Sequence, residues 1–212
     1  MPIREPQVIR WVLKPVAWVG CLVPAAWLIT GLVQSDLGPD PVKTLTHTTG
    51  LSALIILLVT LTITPARWLT GMNGLVRLRR LLGLFAFFYA VVHFLIYAVF
   101  DHQLSVAEIS EDIVKHPWVL IGFSALLILT ALAITSPAAA IRRLGGKRWQ
   151  RLHRFVYLAA GLGVLHFFWL VKKDLTEPLR YGVILGVLLA ARVIRARATR
   201  VTPPVAEPKL GT

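Results

Sequence analysis

His93 and His166 are ionisable rings set in otherwise apolar sequence, FAFFYAVVHFLIYAVF and VYLAAGLGVLHFFW. Hydrocarbon offers an imidazole no partner, so such a histidine is either a functional group or is hydrogen-bonded to a neighbouring helix as structural glue. Two that meet at one depth, with Phe94, Tyr97, Phe167 and Phe168 beside them, can do more. Each can offer a nitrogen to one face of an iron while a flat apolar macrocycle fills the space between their helices, as a b-type haem requires. A zinc site would need a third ligand at that depth. His47, in VKTLTHTTG, is the histidine available for it, and no Asp or Glu lies within an apolar run. His102 and His116 lie in a polar connection, where a solvated ring needs no further explanation.

His153, in GGKRWQRLHRF, stands apart. It precedes His166 by thirteen residues, roughly 20 Å along a helix and about 140° around it, so the two do not share a face. A second haem there would want a helix partner thirteen or fourteen residues before His93, where Arg79 and Arg80 stand instead of histidine. Four roles are open to His153: ligand of a second haem with an unusual partner such as Arg79, partner of a haem propionate, wall of a quinone site, or cap of a basic interface.

The elements that must position these rings are membrane helices. The 212 residues are 56% hydrophobic and 16% charged, and the apolar residues come in long blocks. Crossing ~30 Å of hydrocarbon takes about 20 residues. Six runs of suitable length occur, near 15–33, 45–64, 81–100, 117–135, 149–171 and 178–194, each punctuated by Pro, Gly or charge. The fold class expected is therefore an all-α integral membrane protein, a six-helix transmembrane bundle over residues 1–195 with a disordered Pro-rich tail over 196–212.

Charge supports that count. The net charge of +13 does not mark a nucleic-acid binder, because the basic residues alternate by connection. Eighteen of the 23 lie in the two termini and in the second and fourth connections, with Arg67, Arg77, Arg79 and Arg80 in one and Arg142, Arg143, Lys147, Arg148, Arg151 and Arg154 in the other. Eight of the ten acids lie in the remaining connections. The positive-inside bias then places both termini in the cytoplasm. The third and fifth runs cross in the same direction, and His93 and His166 lie roughly 10 and 8 Å from their outer ends.

Absences narrow the chemistry. Cys21 is the single cysteine, so neither an internal disulfide nor a Cys-ligated cluster is available. No P-loop occurs and no GxGxxG opens a helix after a strand, so the chain has no means of its own to take electrons from a nicotinamide cofactor. A haem-bearing chain of this kind passes electrons between partners. The rival reading is a small transporter or proton or cation relay using the intramembrane histidines; it is weakened by the lack of acids in the runs and of an inverted repeat.

The stretches DPVKTLTHTTG, ITPARW, RLRRLLGLFAFFYAVVHFLIY and LGGKRWQRLHRFVYLAAGLGVLHFFW, in this order, resemble the haem-binding membrane subunits of bacterial periplasmic methionine sulfoxide reductase systems, within the ferric-reductase-like transmembrane group. The likeness spans roughly residues 8 to 195. It implies a bacterial inner-membrane cytochrome that carries electrons from the quinone pool to a periplasmic molybdopterin-containing catalytic subunit. It implies haem b, one or two per chain, on His93 and His166 with His153 as the further helix histidine, and it also implies FMN. The basic residue at the helix-three position facing His153 departs from dihaem relatives with paired histidines on both helices.

Overall fold

The computed structural model describes residues 5–171 and 174–201, and every regular element among them is helical. Five helices are long and apolar enough to cross a membrane: α1 (Glu5–Gln34), α2 (Pro41–Thr70), α3 (Asn73–Asp101), α5 (Pro117–Ile134) and α7 (Gly146–Leu170). Between them lie two short helices not expected from the apolar pattern, α4 (Val106–Lys115) and α6 (Ala138–Leu144). The last, α8 (Thr176–Val201), is equally long. However, each of its 18-residue stretches carries at least three Glu or Arg, so its composition alone does not qualify it as a span. It also carries helix through residues 196–201, where the sequence suggested the start of a tail. The rest of that tail lies outside the described residues.

Four of the six expected apolar runs fall inside a longer helix, and those at 117–135 and 149–171 overrun the ends of α5 and α7 by one residue. Asp40 accepts a hydrogen bond from the Lys43 amide at 3.0 Å and Pro41 follows at the first helical position, which starts α2. Gly71, at φ +71°, closes it in the left-handed conformation that a side chain would disfavour.

α2 is the central helix. Half of its most apolar stretch is buried, against 28% or less for the other four. It packs most extensively on α3, and α5 packs most extensively on α7. Lipid is as apolar as leucine, so association rests on close packing, which small residues permit. Ala86, Ala159 and Ala160 are accordingly almost inaccessible.

Two interior prolines interrupt the helical ladder, and polar groups of other helices serve the carbonyls nearby. In α2, Pro65 has no N–H to give the Leu61 carbonyl, and Arg192 of α8 donates to that oxygen instead. In α1, Pro24 is followed by Ala25, whose N–H donates to the Tyr89 hydroxyl at 3.0 Å. Tyr89 in turn donates to the Cys21 carbonyl at 2.6 Å. One phenol thus bridges the two ends of a helix hydrogen bond, from a side chain only 1% exposed. Tyr89→Phe is expected to cost about 1–3 kcal/mol by removing both partners at once, read as a lowered melting temperature in detergent.

Between α3 and α5, α4 lies beside a polar cluster. Asp112 accepts from the Tyr97 hydroxyl at 2.5 Å and from His116 Nδ1 at 2.6 Å, with His102 Nε2 at 3.5 Å. Burial raises the Asp112 pKa, but the Tyr97 and His116 hydrogen bonds outweigh it and hold the carboxyl below its ordinary value. His102 and His116 are therefore engaged in this network, whereas their sequence positions suggested freely solvated rings.

Candidate functional site

His93, on α3, and His166, on α7, come together inside the bundle. Their ring centroids are 6.2 Å apart and their planes are inclined at 82°. The two rings that the sequence suggested could meet thus lie side by side.

Each ring is held the same way. His93 Nδ1 lies 2.9 Å from the Thr46 carbonyl of α2, and His166 Nδ1 lies 2.7 Å from the Trp118 carbonyl of α5. A carbonyl can only accept, so both Nδ1 atoms carry the proton and donate. In the neutral ring that leaves Nε2 with its lone pair.

One helical turn beyond each of these carbonyls stands a glycine. A Cβ on Gly50 would lie 3.0 Å from Nδ1 and Cε1 of His93, and one on Gly122 would lie 2.8 Å from the same atoms of His166. The two half-sites therefore follow one plan, a histidine laid against a glycine and tethered to the carbonyl four residues earlier. They lie on the two most extensively packed helix pairs, α2 with α3 and α5 with α7.

The arrangement suits a metal between two imidazoles. A ring nitrogen sits about 1.1 Å from the centroid of a five-membered ring with bonds of roughly 1.35 Å. With metal–nitrogen bonds of about 2.0 Å, two imidazoles on opposite sides of one metal have centroids a little over 6 Å apart. The observed separation matches. The surroundings are aromatic: Phe94 packs on Phe123 at 5.7 Å, and Phe167 on Tyr181 at 6.2 Å. His47 lies 6.1 Å from Phe167, next in sequence to Thr46. Among the described residues, no three His, Cys, Asp or Glu side chains converge as a metal-ligand set, which removes the support for a three-ligand zinc site. The donor set, two neutral imidazoles with free Nε2 atoms in an aromatic setting, fits a haem iron.

The family profile described as ferric reductase like transmembrane component matches residues 49–164. That segment contains His93, His153, Gly50 and Gly122, and stops two residues short of His166. Three relatives have the same printed description, protein-methionine-sulfoxide reductase heme-binding subunit MsrQ. The one from Herminiimonas arsenicoxydans is 46% identical over 186 residues, covering 87% of this chain and 85% of the relative. The one from Rhodospirillum rubrum is 48% identical over 179 residues, covering 84% and 86%. The one from Xanthomonas axonopodis pv. citri is 46% identical over 203 residues, covering 93% and 91%. The chain belongs to the MsrQ family. As a member of it, with five helices suited to crossing a bilayer, it is a multi-pass membrane protein.

The remaining sequence candidates are not gathered at the histidine pair. His153 closes the first segment of α7 and stacks on Trp149 at 4.0 Å. Its Nε2 lies 3.1 Å from the Thr135 hydroxyl, and Trp149 Nε1 donates to the Thr135 carbonyl at 2.8 Å. A tightened turn at Arg154 and Phe155, with the Phe155 amide donating to the Leu152 carbonyl at 3.0 Å, separates His153 from the regular helix that carries His166. The angular arithmetic of one uniform helix therefore does not describe their relation. Arg79 lines a cavity with Thr64, Trp68, Tyr157 and Arg192, beside α8 rather than against His153.

Sequence reasoning missed Gly50, Gly122 and the carbonyls of Thr46 and Trp118. A usable signal existed. Each glycine stands on a helix packed against the one that carries a histidine, at the level of that histidine, where a backbone can receive an imidazole.

Proposed function

We propose that the chain is the haem-binding electron-transfer subunit of a methionine sulfoxide reductase system, with a b-type haem held between His93 and His166. The observation that carries this is the ring pair 6.2 Å apart with both Nδ1 atoms tied to backbone carbonyls. The relatives named as heme-binding subunits support it.

When bound, the haem supplies reversible one-electron chemistry at its iron. The chain's part is positional and electrostatic. The carbonyls of Thr46 and Trp118 fix tautomer and orientation, and by accepting from Nδ1–H they make each Nε2 a stronger donor. Gly50 and Gly122 let the rings approach the helices closely enough to reach those carbonyls. Phe94 and Phe167 stand next in sequence to the two histidines, and an apolar neighbourhood of this kind bears on redox potential.

Further parts of the proposal concern topology and partners. α8 completes a six-span bundle with both termini cytoplasmic in the bacterial inner membrane. Its packing on α2 and α7 and its buried Leu185 support this, as does the alternation of basic and acidic connections. Electrons enter from quinol on the cytoplasmic side and leave at the outer end, close to the His93–His166 pair, toward a periplasmic molybdopterin-containing catalytic subunit. His153 serves the entry side as relay or ligand, with its Nε2 shared with Thr135. The family resemblance adds FMN as a second cofactor.

A reduced-minus-oxidised absorption spectrum of the purified chain, with haem quantified per polypeptide, tests the proposal. The expected result is at least one haem per chain with a Soret band that shifts on dithionite reduction. A colourless protein from cells supplied with haem precursors would defeat it.

A further inference from the structure

Each half-site holds its own histidine, but the spacing between them is not set within either one. His93 is tied to α2 and His166 to α5, so the 6.2 Å between the rings depends on how α2 with α3 sits against α5 with α7. These two helix pairs meet most extensively where α3 packs on α5. That joint lies beside both rings: Phe94, next to His93, packs on Phe123, next to Gly122, with ring centroids 5.7 Å apart.

In a bilayer no hydrophobic force presses helices together, so hydrogen bonds between them add to packing in fixing such a joint. Asp112, on α4, supplies two. Its Oδ2 accepts from the Tyr97 hydroxyl of α3 at 2.5 Å, and its Oδ1 accepts from His116 Nδ1 at 2.6 Å. Hydrogen bonds to an ionised acceptor are roughly twice as strong as neutral ones. Glu111, the preceding residue, by contrast pairs with Lys115 within α4.

Both ends of the Asp112 bridge lead to a half-site. Tyr97 stands one turn, about 6 Å, beyond His93, and its amide donates to the His93 carbonyl. His116 supplies the carbonyl that starts α5, accepting from the Val119 and Leu120 amides at 3.0 and 3.1 Å. Its ring packs on that of Trp118 at 4.7 Å, and the Trp118 carbonyl is the one that receives His166 Nδ1.

We propose that Asp112 is a positioning residue for the histidine pair: it joins the helix of His93 to the start of the helix whose Trp118 carbonyl holds His166, and so fixes the spacing and relative tilt of the two rings. The inference rests on the reading that a haem lies between them, and it gives Asp112 no contact with the haem or with either ring.

The test uses the full chain purified in detergent with its haem. Imidazole planes near perpendicular, 82° apart here, give a low-spin ferric haem a strongly anisotropic electron paramagnetic resonance signal, whose largest g-value falls as the planes turn toward one another. Asp112→Ala and Tyr97→Phe each cut the bridge. Both are expected to weaken haem retention by about tenfold, the lower end of the range for groups that support a metal ligand, and to shift or spread the largest g-value. Asp112→Asn keeps an acceptor for His116 and a polar partner for Tyr97, and should retain most of the parent's haem and its g-value. Glu111→Gln, which removes a charge from α4 without touching the bridge, should match the parent in both. A lowered melting temperature in Asp112→Ala with haem content and g-value unchanged would make the residue merely structural and overturn the inference. Equal effects of Asp112→Asn and Asp112→Ala would also overturn it, by assigning the effect to charge alone.

The joint is also read without haem. In a Cys21→Ser background, nitroxide labels on Leu95→Cys of α3 and Leu120→Cys of α5, at positions 48% and 47% exposed, report the distance between the two helices. Asp112→Ala is expected to broaden that distribution in the haem-free chain. A colourless parent whose label distances still depend on Asp112 would defeat the haem reading while supporting the joint. A haem-bearing parent whose label distances ignore Asp112→Ala would overturn this inference alone.

Discussion

His166→Ala, and equally His93→Ala, is expected to lower haem bound per chain by tenfold or more. Outer-shell partners of metal ligands alone are typically worth 10- to 100-fold in affinity, and these substitutions remove a ligand itself. The two rings lie with centroids 6.2 Å apart, and His47 lies off against Phe167. The substitution also frees a backbone carbonyl, of Trp118 or Thr46, but those oxygens already sit within helices and keep their helical donors. The loss should therefore appear in haem content before it appears in folding. Haem extraction and quantification per polypeptide, alongside a melting curve, separates the two. His153→Ala is the discriminating comparison, since its ring is engaged with Trp149 and Thr135. It should retain the haem between His93 and His166. Loss of that haem in His153→Ala, with retention in His166→Ala, would move the site elsewhere.

Gly122→Ala is expected to approach a ligand deletion in effect while altering no ligand. An added Cβ would sit 2.8 Å from Nδ1 and Cε1 of His166, closer than carbon atoms tolerate, so the ring must swing away and stretch its 2.7 Å bond to the Trp118 carbonyl. Gly50→Ala repeats the experiment on His93 at 3.0 Å and should have a smaller effect in the same direction. By analogy with other outer-shell changes, a 10- to 100-fold loss of haem affinity is expected for Gly122→Ala, with a shifted midpoint potential in the fraction that retains haem. The sign of the stability change is informative. Ala in a helix interior is ordinarily favoured over Gly by roughly 0.5–1 kcal/mol. Gly83→Ala, on α3 with nothing within 4 Å of its added Cβ, should gain that increment and leave the spectrum unchanged. An unchanged potential and haem content in Gly122→Ala would show that the ring does not depend on the close approach.

Much of the architecture was legible because its signals are local. Apolar runs of membrane length lie along the observed helices, and Asp40, Pro41, Pro117 and Gly71 stand at helix ends where their own chemistry puts them. The depth match of His93 and His166 needed only a rise per residue and a direction of crossing. The eighth helix was less legible, because Arg180 and Arg192 interrupt its apolar pattern. The acceptor that explains Arg192, the Leu61 carbonyl beside Pro65, is 131 residues away in sequence.

The sequence by itself determined that the chain is a membrane helical bundle, how its basic and acidic connections alternate, and which two histidines lie at a common level. These follow from hydropathy, charge and helical rise, each a property of a short segment. Only the tertiary structure decided how those histidines are held. Which carbonyl an imidazole reaches, and whether a glycine lies beneath it, depends on the rotation of α3 against α2 and of α7 against α5. Rotation is set by packing between helices distant in the chain, and no period along one helix encodes it. The same reason separated His153 from Arg79, placing one against Trp149 and Thr135 and the other in a cavity beside α8.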